Sequence, residues 1–75
     1  MPDEADEALE IVDRIQPLLA GCGPEVQGAI LCQLVAMWVA GWHVNGPEFV
    51  EDMLTLHVKT VRDLLPVNIE EMKSG

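Results

Sequence analysis

Few residues of this 75-residue chain carry reactive chemistry: Cys22, Cys32, His43, His57 and thirteen Asp or Glu. A structural zinc or a di-iron centre needs ligands at turn or helical spacing, such as C-x-x-C, H-x-x-x-H or E-x-x-H, and none of these spacings occurs. Glu48, Glu51 and Asp52 share a helix start, with no histidine one turn away on the same face. Serine occurs once, at Ser74, and no threonine has a base at hydrogen-bond spacing, so nucleophilic catalysis lacks its parts. Cys22 stands between two glycines ahead of a helix start, where the positive end of the helix dipole stabilises a thiolate. It is the best reactive candidate, although a loop cysteine is more often incidental. Gly21-Cys22-Gly23-Pro24 has neither the spacing nor the lysine of a phosphate-cradling loop. The expectation is a protein that is not an enzyme and holds neither metal nor cofactor.

The remaining candidates are binding residues. His57 falls near the centre of an apolar arc, where a buried imidazole needs a hydrogen bond, to Gln33 or to a backbone carbonyl. The competing reading is a ligand or a pH-sensitive interface residue. His43 lies in the turn Trp42-His43-Val44-Asn45 and is placed to cap the carbonyl end of the preceding helix. Trp38 and Trp42, one turn apart, form either core or a hydrophobic anchor. Cys32, Ala36, Trp38, Trp42, Met53 and His57 are the candidate interface or pocket residues.

Three helices must position these groups. The first is predicted over about residues 3–20. Asp3 is a good N-cap, Glu4, Asp6 and Glu7 suit the positive end of the dipole, and Ala5, Ala8, Leu9, Val12, Ile15 and Leu19 recur at helical spacing. Pro17 removes a donor and clashes with the Asp13 carbonyl, which predicts a kink or an early stop. Gly23-Pro24-Glu25 and Gly46-Pro47-Glu48 open the second and third helices with proline at the first helical position, where its missing N–H costs nothing. The second helix is predicted over about residues 24–42 and the third over about 47–65. Pro66 should end the third helix, and Asn68-Ile69-Glu70-Glu71 resembles a capping box for a separate turn over about 69–72. The segments 23–45 and 46–68 are equal in length and share their openings, but little else matches. Common helix-start grammar explains the likeness without a duplication.

Helix two is apolar on all sides. Ile30, Leu31, Leu34, Met37, Trp38 and Trp42 form a face of large residues, with Gly28, Ala29, Cys32, Ala36 and Ala40 opposite. A helix that is apolar all round must be covered all round, and two amphipathic neighbours cover one side only. A domain this small buries only about 60% of its unfolded surface, so the surplus apolar face calls for a partner. The expected architecture is an all-α three-helix bundle completed by homodimerisation.

Composition bounds the partners. Four Lys or Arg against the thirteen acids, a net charge of -9, speak against nucleic acid. The acidic first helix suits a basic partner protein. The longest apolar run, Ala29–Trp42, is shorter than the roughly 20 residues of a membrane span. Two widely spaced cysteines and an acidic N-terminus fit a reduced, cytoplasmic protein. The leading expectation is a small interaction or regulatory protein that self-associates through helix two and offers an acidic face to a partner. The alternative is a small-molecule or metal-binding module with a pocket at the seam of helices two and three. A helix-turn-helix reader of DNA is set aside, since Lys59 and Arg62 are the only cations of the third helix's predicted span.

Overall fold

A computed structural model describes residues 3–75. The described chain is all-α, with three α-helices and one short 3-10 turn: α1 (Glu4–Ala20), α2 (Pro24–Ala40), η1 (His43–Asn45) and α3 (Pro47–Ser74). Two compact units divide it, one ending at Leu34 and the other Val35–Gly75, and α2 contributes to both.

In the first unit Asp3 caps α1, its carboxylate accepting from the Asp6 N–H at 2.9 Å, and three acids occupy the first turn. Pro17 neither stops nor shortens the helix, which continues to Ala20. The carbonyl that loses its donor belongs to Asp13, on the exposed flank, where water replaces the missing bond. The α1–α2 connection is held by a residue that sequence reasoning passed over. Gln27 Nε2 donates to the Leu19 carbonyl at 2.8 Å and to the Cys22 carbonyl at 2.9 Å. One carbonyl of the last turn of α1 and one of the loop thus both accept from the first turn of α2. Ile15, Leu19, Cys22, Gln27 and Ile30 are the half-buried residues of this unit.

In the second unit α2 ends two residues earlier than the pattern suggests, at Ala40. The Gly41 N–H reaches back to the Met37 and Trp38 carbonyls, and the Trp42 N–H to Val39. His43 closes the end as expected, its Nδ1 donating to the Ala40 carbonyl at 3.0 Å. Gly46, at φ 94 and ψ 161, then turns the chain into α3 with Pro47 in the first turn.

The expected stop at Pro66 is overturned. α3 is one helix of 28 residues that runs through Pro66 to Ser74, and no separate turn forms over 69–72. A proline inside a helix costs about 3 kcal/mol when its lost bond and ring clash go uncompensated. Here the ring lies on a fully exposed part of the helix, where water reaches the freed Arg62 carbonyl. Asn68 Nδ2 donates to the Leu64 carbonyl at 2.9 Å and reinforces the turn around the proline. Its amide is therefore spent within the helix and does not start a new one.

Candidate functional site

Among the described residues only Val39 is buried, at 6% exposure. Val35, Val50, Met53 and His57 are half-buried beside it in sequence pattern, spaced four residues apart on α2 and three and four apart on α3. Val39 and Val35 are named in neither of the two faces expected for α2. At about 100° per residue Val35 projects between Trp42 and Gly28, and Val39 between Gly28 and Cys32, within the arc of small residues. Helix α3 therefore meets α2 from its tryptophans to one flank of its small residues, and most of both expected faces stays exposed.

Two ring contacts fix this pairing. Trp38 lies against His57 with ring centroids 5.1 Å apart, and Trp42 lies against Phe49 at 5.9 Å, tilted by 44°. Such tilted pairs contribute about 0.5–1.5 kcal/mol beyond their burial. His57 thus sits at the seam of α2 and α3, close to where its sequence position put it. Its neighbour is the Trp38 ring, tilted by 54°. Met53 is half-buried one turn earlier on α3. The structure therefore brings Trp38, Trp42, Met53 and His57 into one unit, with the tryptophans still 45% and 40% exposed. Cys32 and Ala36 are exposed on the small-residue side of α2.

Cys22 is half-buried, and its Sγ points back to the Leu18 carbonyl at 3.9 Å. The thiol thus points toward the carbonyl end of α1 and not toward the amide end of α2. Both cysteines are free. No three His, Cys, Asp or Glu side chains converge as metal ligands among the described residues, and no described helix is long and apolar enough to cross a membrane.

What the fold does present is open apolar surface. A shallow depression of about 490 Å³ runs along α2, lined by Val26, Ala29, Ile30, Gln33 and Leu34 with Glu25 at its rim. Another of about 460 Å³ lies on α3 between Leu54, Thr55, Val58, Lys59 and Arg62. α1 and its cap carry Asp3, Glu4, Asp6, Glu7, Glu10 and Asp13, all exposed. Its single cation, Arg14, is taken by Glu10 at 2.7 Å. Compared with protein-family profiles, with curated proteins and with solved structures, the chain finds no match in any of the three.

Proposed function

We propose that this chain is a small, non-catalytic interaction protein that self-associates through the apolar surface of α2 and presents the acidic flank of α1 to a basic partner protein. One observation carries the reading: a chain that is 49% hydrophobic buries a single side chain among its described residues. Surface on that scale is characteristic of subunits whose stability is inseparable from assembly. On α2 the uncovered residues include Val26, Leu31, Leu34 and Met37, each at least 48% exposed, and no charge interrupts them between Glu25 and Ala40.

Light scattering after gel filtration at micromolar concentration tests the self-association. The expected result is a species of at least twice 8.2 kDa; a single species of that mass down the whole concentration series would refute it. The acidic flank has its own signature. Capture of a basic protein should weaken as salt rises past about 0.15 M, because exposed charges more than about 8 Å apart are then screened. Capture indifferent to salt, or unaltered when Glu4, Glu7 and Glu10 are all changed to Gln, removes α1 from the interface.

A further inference from the structure

The run of α3 through Pro66 creates a surface that a helix ending at Leu65 would not have. Leu54, Val58, Val61, Leu65, Asn68 and Met72 are spaced alternately four and three residues apart, the repeat by which two helices keep one seam in contact. At ~1.5 Å per residue the seam is ~27 Å long. Its first two members lie beside the half-buried residues that face α2, while the rest continue onto the part of α3 that is exposed throughout. Leu65 is 50% and Met72 80% exposed. The turns beyond Leu64 are shorter than the ~12–15 residues an isolated helix needs in water even in alanine-rich sequence, and they contain Pro66. The turns beyond Leu64 therefore need burial that the described chain does not supply.

From these observations we infer that a second copy of the chain covers this seam, α3 lying parallel and in register against α3 of the partner. Three features select a second copy over an unrelated protein. The first is charge. From Leu54 onward Lys59, Arg62 and Lys73 balance Asp63, Glu70 and Glu71, so the whole net charge of -9 belongs to the part of the chain before Leu54. Two copies meeting along α3 bring together neutral surfaces, whereas two copies meeting along α1 would set acid against acid, which costs several kcal/mol for juxtaposed like charges. The second is self-complementarity. Leu64 and Ile69 occupy the two positions flanking the seam that meet across a parallel pair, five residues apart, and both are apolar. The third is exposure: Val61, Leu64, Leu65, Ile69 and Met72 are each at least 45% exposed, leaving apolar surface on α3 as well as on α2. Asn68, its Nδ2 held by the Leu64 carbonyl of its own helix, is then the one polar residue in the seam. Pro66 projects from the far side, so its missing bond lies outside the contact.

The inference rests on the proposed self-association but concerns a different helix, and the test separates them. In the full chain with Cys22 and Cys32 changed to Ser, Asn68→Cys should form an intermolecular disulfide under mild oxidation and double the mass on a non-reducing gel. The bond requires Cα atoms within about 7 Å. Val67→Cys, on the opposite side of the helix, should not do so at the same protein concentration. Leu65→Glu, which sets two carboxylates across the seam, should weaken association by about a hundredfold while circular dichroism retains the α1 and α2 signal. If the unmodified chain self-associates but Asn68→Cys cross-links no faster than Val67→Cys, the α3 seam is refuted and the α2 reading stands. If the unmodified chain is a monomer, both fall. Should Leu65→Glu unfold the chain, the cysteine pair alone decides.

Discussion

Replacing Val39 by aspartate should abolish the pairing of α2 with α3 and with it most of the helical signal at 25 °C. Val39 is the single buried side chain among the described residues, and no cation lies near it in α2, whose span from Glu25 to Ala40 has no Lys, Arg or His. A carboxylate placed there meets neither water nor a counter-charge, and an uncompensated buried charge destabilises by roughly 3–5 kcal/mol. A chain of this length has on the order of 4–11 kcal/mol of total stability, and in this one much of that total depends on assembly. The expected result is a helical signal at 222 nm reduced by half or more, without a cooperative thermal transition. Met37→Asp is the informative comparison. Met37 is 61% exposed, so its aspartate should leave the subunit's helices intact and act on the association of copies. If Val39→Asp melts like the parent chain, the contact between α2 and α3 does not hold the second unit together.

Legibility in the sequence followed the range of the physics involved. Features set by a few neighbouring residues were readable: the Asp3 cap, the proline-first openings at Pro24 and Pro47, the His43 closure of α2, and the all-α class that follows from them. Features that depend on what surrounds a helix were not. The proline rule applies to a buried interior, and it misplaced the end of α3 because Pro66 is exposed and Asn68 supports the turn from within. The faces of α2 were drawn by residue size, large against small, yet the residues that become covered cut across that division, Val35 beside Trp42 and Val39 among the small residues. In an all-apolar helix the pattern holds no signal for which line a neighbour will choose, so the one buried residue was overlooked. Gln27 was missed for a related reason. A glutamine in a first turn reads as a solvated polar residue, and only the geometry of the preceding loop brings the Leu19 and Cys22 carbonyls within its reach. For the tryptophans the sequence left core and hydrophobic anchor as alternatives, and their pairing with His57 and Phe49 depends on the turn between α2 and α3. The excess of apolar surface was also legible, since composition and length set it before any geometry does.

The second large effect is expected at Gly46, the pivot between η1 and α3. At φ 94 and ψ 161 it occupies a region of backbone space that is essentially closed to residues with a Cβ, because the side chain collides with its own peptide groups; holding such a residue there costs about 1–3 kcal/mol. The obstacle is conformational and not a matter of room, for a Cβ built at Gly46 meets nothing within 4 Å. Gly46→Ala should therefore lower stability by ~2 kcal/mol, a large share of the total. The substitution also acts on a turn held by the Gly46 N–H donating to the His43 carbonyl at 3.1 Å and the Val50 N–H donating to the Gly46 carbonyl at 3.2 Å. Relaxing φ to a negative value breaks that sequence of bonds and redirects α3, so the Trp42–Phe49 and Trp38–His57 contacts should separate and tryptophan emission should shift to the red. Gly28 provides the control. It lies inside α2 with nothing within 4 Å of an added Cβ and no positive φ, so Gly28→Ala should stabilise by about 0.5–1 kcal/mol through helix propensity. Urea denaturation of the two variants should thus move in opposite directions from the parent chain. A Gly46→Ala midpoint equal to that of Gly28→Ala would mean that the turn adopts another conformation and that the ring contacts of the second unit do not depend on it.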